Sequence, residues 1–89
     1  MIKLRLFASL REVAGSKEVE VDGDELSVGQ ALAKFATRFE KAKDILFDKD
    51  GNLFPSVLLL VNGESAEGGE QARVKSGDVV SVLLPTAGG

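Results

Sequence analysis

Residues 27–39 read SVGQALAKFATRF, and this stretch is the most informative about the architecture of the chain. Ser27 and Gln30 have the spacing of a capping box, in which a hydroxyl begins a helix and a Gln side chain three residues later hydrogen-bonds back to it. The apolar residues that recur at helical spacing are Val28, Leu32, Phe35, Ala36 and Phe39. The pattern predicts one amphipathic helix over about residues 28–41, whose apolar side must pack against a flat apolar surface.

The residues before the helix predict a β-hairpin that supplies part of this surface. Residues 2–7 alternate in character, as does the run around Val19 and Val21. Between them, residues 8–14 could form a helical turn. The side chains of the first strand expected to face the core are Ile2, Leu4 and Leu6. Those expected to face away are Lys3, Arg5 and Phe7.

Two further strands are predicted after the helix. Residues 57–61 are uniformly apolar and precede Asn62-Gly63, a dipeptide typical of tight hairpin turns. Residues 79–84 form the last strand, which ends at Pro85 because proline cannot donate a hydrogen bond to a sheet. In that strand, the residues expected in the core are Val80, Val82 and Leu84. Those expected to face away are Val79, Ser81 and Leu83.

The segments between these elements are interpreted as turns and loops. Residues 48–52 have the acidic character of a calcium-binding loop, but Leu53 and Leu59 stand where such a loop needs glycine and a bidentate acid. A tight turn is therefore the better interpretation. Residues 64–74 are polar and Gly-rich, which favours a loop with room for one short strand. Residues 41–47 are too short a stretch to predict a second full helix.

The order of elements predicts an α+β roll with a mixed sheet of four to five strands and one main helix on one sheet face. If the first and last strands lie side by side, they run parallel. This arrangement is the β-grasp, or ubiquitin-like, architecture, whereas a ferredoxin-like arrangement would need a second full helix. With 89 residues the chain has room for a single domain, which we assign to residues 1–85, followed by a flexible tail over residues 86–89.

The composition argues against a self-sufficient enzyme. The chain has no Cys, His, Tyr or Trp, so it lacks thiolate chemistry, the commonest general base and the commonest metal ligand. We expect no catalytic residues and no metal site. The net charge of −3 argues against nucleic-acid binding. The longest apolar run, residues 57–61, is too short to span a membrane, and no signal-peptide pattern is visible, so we expect a cytoplasmic protein.

The chain ends in Gly88-Gly89, and this pair carries the functional hypothesis. Residues without Cβ atoms can pass through a narrow channel. A terminal carboxylate has a pKa of about 3.5, so it is ionised at neutral pH and resists nucleophiles until it is activated, for example as an acyl-adenylate made from ATP. The chain has no phosphate-binding loop motif, so ATP, with Mg, must be bound by another protein. This chain is then a substrate and carrier rather than a catalyst.

Several segments resemble one family. Residues 1–8 (MIKLRLFA) and 10–15 (LREVAG) look like the opening of the small subunit of molybdopterin synthase, and residues 77–89 (GDVVSVLLPTAGG) resemble its end. Residues 46–53 (LFDKDGNL) and 61–63 (VNG) are similar to the small archaeal modifier proteins of that group. The sulfur carrier of the thiamine pathway also ends in Gly-Gly, but it is shorter and lacks a counterpart of the turn near residue 50.

The resemblance implies a β-grasp fold and an E1-like adenylating enzyme that activates Gly89 with ATP. The activated end is then converted to a thiocarboxylate, for sulfur transfer with the molybdopterin synthase large subunit, or joined to lysines of target proteins. The competing hypothesis is a β-grasp binding module whose glycine tail is incidental. In either case we expect a monomer when the chain is alone.

An exposed apolar patch is predicted beside the tail, because the run 57–61 is apolar on both faces. Lys3 and Arg5 are expected at its rim. Apolar patches on small domains often bind partners. The candidate partner-binding residues are Phe7, Leu58, Leu60, Leu83, Pro85, Thr86 and Ala87.

Overall fold

The main sheet is organised around two parallel strands, the first and the last of the chain. The computed structural model describes residues 1–84. The strands are β1 (Ile2–Leu6), β2 (Glu18–Val21), β3 (Glu25–Ser27), β4 (Leu58–Val61), β5 (Glu64–Ser65), β6 (Arg73–Lys75) and β7 (Val79–Leu83). The α-helices are α1 (Ser9–Ala14), α2 (Val28–Arg38) and α3 (Glu40–Leu46), and a 3-10 turn covers Gly69–Gln71.

The five-stranded sheet has the order β2-β1-β7-β4-β5. β1 and β7 are parallel, and the other neighbouring strands are antiparallel. Helix α2 packs its apolar side on one face of this sheet, with Val28, Leu32 and Phe35 buried. The predicted β-grasp fold and the N-terminal hairpin are confirmed. The predicted parallel pairing of the first and last strands of the chain is confirmed as well.

A second, two-stranded sheet was not predicted. β3 and β6 pair antiparallel, with Leu26 opposite Val74, and the Val74 side chain is buried. Each strand has three residues, which is too short for an alternating pattern to emerge from the sequence. The short strand allowed for in residues 64–74 is thus present, and β6 closes over the start of α2, where the Val28 amide donates to the Ala72 carbonyl at 2.8 Å.

The capping box of α2 is confirmed, but its predicted end is wrong. Ser27 Oγ accepts from the Gln30 amide at 3.0 Å, and Gln30 Oε1 accepts from the Ser27 amide at 2.9 Å. The helix ends at Arg38, because Phe39 is extended (φ −126°, ψ 90°) and its ring packs 5.2 Å from that of Phe35. The chain then turns into α3.

Helix α3 occupies the stretch judged too short for a second helix. Its residues Ala42 and Leu46, spaced by four, are fully buried in the same core as the sheet. The chain breaks at Phe39, and α3 directs these two side chains into the core. A seven-residue helix is stabilised mainly by this tertiary packing rather than by its own propensity.

The core follows the predicted alternation. The fully buried residues of the two central strands are Ile2, Leu4, Leu6, Val80 and Val82. Leu84 is half-buried and packs against this core. Ser81 has the parity of the outer face but is only 8% exposed, since this small side chain lies between those of Arg5 and Leu60 in the register.

The two predicted turns are confirmed. Asp48 Oδ1 accepts from the amides of Asp50 at 2.9 Å and Asn52 at 3.0 Å, which makes a tight turn stabilised by its own aspartate. Asn62 and Gly63 both have positive φ, 53° and 86°, as required in the hairpin that joins β4 to β5. None of the helices formed by residues 1–84 is long and apolar enough to cross a membrane.

Candidate functional site

The strand that leads to the C-terminus defines the candidate site. β7 ends at Leu83, and Leu84 is the last residue that the structure describes. The predicted tail residues lie outside the described part of the chain, and these are Pro85, Thr86, Ala87, Gly88 and Gly89. The described part of the site is the outer face of the sheet, on the side opposite α2.

The pairing of β4 with β7 brings together three of the predicted patch residues. The antiparallel register places Leu58 opposite Leu83 and Leu60 opposite Ser81. Directly opposed side chains lie on the same face of a sheet. The Leu58 side chain is 63% exposed, whereas Leu60 and Leu83 are half-buried. An apolar surface therefore lies at the end of β7, beside the point where the tail begins.

Phe7 lies next to this surface. It follows β1 by one residue and, continuing the parallel register in which Leu6 faces Val82, comes level with Leu83. Its side chain is half-buried, and the Arg11 guanidinium carbon lies 5.9 Å from the centre of its ring. The four described patch residues, Phe7, Leu58, Leu60 and Leu83, thus line one end of the outer face.

The charged rim of the patch is largely neutralised. Arg5 donates from Nε and Nη2 to Glu18 Oε2, both at 3.2 Å, and Lys3 Nζ lies 3.8 Å from Glu18 Oε1. These groups are exposed, so such ion pairs contribute little to stability, about 0–1 kcal/mol each. Their effect on the site is to place one net positive charge beside an apolar centre.

A hydrogen-bonded cluster at the opposite end of β4 and β7 sets this register. Asn62 Oδ1 accepts from the Val79 amide at 3.0 Å, and Asn62 Nδ2 donates to Asp78 Oδ1 at 3.1 Å. Asp78 Oδ2 in turn accepts from the Lys75 amide at 2.8 Å. The Lys75 amide, followed by the Asn62 side chain, lowers the pKa of Asp78 below its ordinary value.

Sequence reasoning missed this cluster. It identified Asn62-Gly63 only as a turn, and nothing local indicates that the Asn62 side chain meets Asp78. The cluster supports the candidate site because a one-residue slip of β4 against β7 would move Leu58 to the other face of the sheet.

Ala8 is strained at the Phe7 end of the site. Its φ of 54° and ψ of −132° lie in a region that side chains other than glycine rarely adopt. The Ala8 carbonyl accepts from the amides of Arg11 at 3.0 Å and Glu12 at 3.4 Å, so this conformation begins α1 directly after β1. The turn holds Phe7 and Arg11 together.

Comparison with known proteins shows to which family the chain belongs. The model of the ThiS family matches residues 4–89, nearly the whole chain. The chain belongs to the ThiS family. Among its relatives, small archaeal modifier protein 1 of Haloferax volcanii is 38% identical over 86 residues, covering 96% of this chain and 97% of the relative. A putative sulfur carrier protein of Archaeoglobus fulgidus is 33% identical over 90 residues, covering 99% and 98%.

One similar solved structure comes from a complex of two proteins. A chain from the crystal structure of the Amycolatopsis orientalis BexX/CysO complex superposes with a TM-score of 0.82 at 28% identity, with both chains fully covered. The relatives named here are thus small ubiquitin-like modifier and sulfur carrier proteins, and one neighbour is seen with a partner protein. The predicted resemblance is confirmed.

Proposed function

We propose that this ThiS-family chain is a carrier and modifier whose reactive group is its own C-terminal carboxylate on Gly89. The carboxylate attacks the α-phosphorus of ATP on an E1-like enzyme, which forms an acyl-adenylate and releases pyrophosphate. A sulfur nucleophile or a lysine amine of a target protein then displaces AMP, giving a thiocarboxylate or an isopeptide bond. The chain itself supplies no catalytic residue, and the enzyme binds ATP and Mg.

The observation that carries the proposal is the full-length similarity to both a modifier protein and a sulfur carrier protein, in a chain that ends in Gly88-Gly89. The absence of Cys and His from the sequence supports placing the catalytic groups on partners. Both fates of the acyl-adenylate use the same activated end, so one protein can serve both. Lysines of target proteins and a molybdopterin synthase-type large subunit are the corresponding acceptors.

In this proposal the activating enzyme docks on the outer face of the sheet. The exposed Leu58 and its neighbour Leu83 provide an apolar centre beside the start of the tail. Phe7 and Leu60 extend that surface, while the tail residues Pro85, Thr86 and Ala87 lead from it to the reactive end. A few residues near the centre of an interface usually carry most of the binding energy, and Leu58 and Leu83 hold that position in this proposal.

The test is the intact mass of the chain after incubation with cell extract and ATP. One sulfur-for-oxygen exchange supports sulfur carriage, and ladders of the chain on other proteins support modification. The matched control lacks Gly88 and Gly89 and should show neither product. Retention of partner binding by that truncated chain, with no product formed by the full chain, would instead favour the simple binding module.

A further inference from the structure

Strand β2 is the longer of the two edge strands of the main sheet. The order β2-β1-β7-β4-β5 leaves β2 and β5 outermost, and β5 has only two residues. β2 has four residues, Glu18–Val21, of which Glu18 and Glu20 are exposed. An open edge of this kind is a template for pairing with another strand, and proteins need specific features to prevent it.

The backbone groups that face outward on this edge can be identified from the hairpin. The Leu6 amide donates to the Lys17 carbonyl at 2.7 Å. In an antiparallel pair the hydrogen-bonded residues alternate, so Val19 and Val21 also point their backbone groups toward β1. The carbonyls of Glu18 and Glu20 therefore point away from the sheet.

Both of these outward carbonyls accept a hydrogen bond from a side chain of the same molecule. Ser16 Oγ donates to the Glu18 carbonyl at 2.8 Å, and Arg38 Nη1 donates to the Glu20 carbonyl at 2.7 Å. Arg38 is the last residue of α2, and its guanidinium carbon lies 5.3 Å from the centre of the Phe39 ring. The last turn of α2 thus brings Arg38 to the edge strand.

The side chains of β2 do not by themselves oppose self-pairing. In a two-fold antiparallel pairing centred on Val19, Glu18 of one copy would lie opposite Glu20 of the other. Lys3 and Arg5 offset the charge of Glu18, so its surroundings would not repel the incoming Glu20. The two hydrogen bonds to the outward carbonyls are therefore the features that oppose self-pairing.

We propose that Arg38 and Ser16 together form an edge guard that prevents the β2 edge from pairing with the β2 edge of a second copy. Arg38 occupies the Glu20 carbonyl and Ser16 occupies the Glu18 carbonyl, which are the two acceptors that a second strand would need. The expected occupant of an unguarded edge is a second copy, because β2 offers the same donors and acceptors to an antiparallel partner related by two-fold symmetry.

The test is the oligomeric state of an Arg38→Met/Ser16→Ala double variant. Met keeps much of the aliphatic volume of Arg, and Ala removes only the hydroxyl of Ser16, which is exposed and precedes β2. By sedimentation equilibrium, the wild-type chain should keep the mass of one copy, 9.4 kDa, while the double variant should approach twice that mass with rising concentration. Lys34→Met is the matched control, since Lys34 precedes Arg38 by one turn of α2 and hydrogen-bonds to no β2 carbonyl within residues 1–84.

Amide hydrogen exchange identifies the interface. The outward amides of Glu18 and Glu20 should exchange rapidly in the wild-type chain and become at least about tenfold slower in the double-variant dimer. The proposal is overturned by a folded double variant that stays monomeric, or by a dimer in which these amides remain unprotected. A wild-type chain that is already paired through β2 would also overturn it. If the double variant does not fold, Arg38→Met alone should still show a smaller, concentration-dependent rise in mass, and its absence counts equally against the guard.

Discussion

The Asn62 side chain donates a 3.1 Å hydrogen bond to the carboxylate of Asp78, and this contact joins the β4–β5 turn to the beginning of β7. Because Asn62 also accepts from the Val79 amide, the two strands are held in one register at this end. The same register places Leu58 opposite Leu83 at the other end. A polar cluster distant from the tail therefore organises the apolar surface beside it.

Replacing Asp78 by Asn should destabilise the fold. The variant keeps the shape of the side chain but loses the charge that strengthens the hydrogen bonds from Lys75 and Asn62. Because Asp78 is partly exposed, solvent screening limits the expected loss to about 0.5–1 kcal/mol of unfolding free energy, measured by urea denaturation. Asp22→Asn, at an exposed acid outside this cluster, is the control and should change stability less.

The pH dependence of this loss has a defined sign. The pKa of Asp78 is lowered in the folded chain, chiefly by the Lys75 amide and then by Asn62, so its ionised form stabilises the fold above the unfolded pKa of about 3.9. That contribution disappears as the pH falls from about 3.9 through the folded pKa. The difference in stability between the wild-type chain and Asp78→Asn should therefore shrink over this range. A difference that stays constant down to the acid transition would contradict the assignment.

Leu58→Asp should impair activation while leaving the fold intact. The Leu58 side chain is 63% exposed, so its replacement should change the unfolding free energy by at most about 0.5 kcal/mol. A carboxylate at the centre of the proposed docking face should weaken engagement of the activating enzyme about tenfold or more, measured as the concentration dependence of adenylation. Ala33→Asp adds the same charge on the exposed side of α2 and should not affect adenylation. Equal kinetics for the two variants would remove the outer face from the proposal.

Ala8→Gly should stabilise the chain. Glycine adopts the conformation at Ala8 without the penalty of a Cβ atom, so thermal or urea unfolding should show a gain of about 1 kcal/mol. The matched control is Ala33→Gly, an exposed alanine inside α2, which should lose about 1 kcal/mol. A loss of stability at position 8 would show that the Ala8 methyl makes a contact worth more than the strain.

Ser27→Ala should also destabilise the chain, by about 1 kcal/mol, because it removes the side-chain acceptor for the Gln30 amide at the start of α2. Chemical denaturation measures this loss. Ser56→Ala changes an exposed serine in the segment before β4 and is the matched control. If the two variants are equally stable, the capping box contributes nothing to folding.

The features predicted correctly from the sequence depend on residues that are close together in the chain. Ser27 and Gln30 are three positions apart, the Asn62-Gly63 turn requires only its own backbone angles, and alternation within β1 separates core from surface. The end of α2 was misplaced because Phe39 is apolar at the expected helical position, yet its backbone is extended and the helix ends at Arg38. Local spacing cannot distinguish these two outcomes.

The functional hypothesis came from the sequence alone, because a chain without Cys or His that ends in Gly88-Gly89 has its terminal carboxylate as the proposed reactive group. The sequence patterns also predicted the main helix and most strands of the five-stranded sheet. They did not predict that Leu58 lies opposite Leu83 on an open face, nor that Arg38 hydrogen-bonds to the Glu20 carbonyl at the β2 edge. Strand register and the contacts of a side chain depend on packing between segments that are distant in the chain, and no local pattern records that packing.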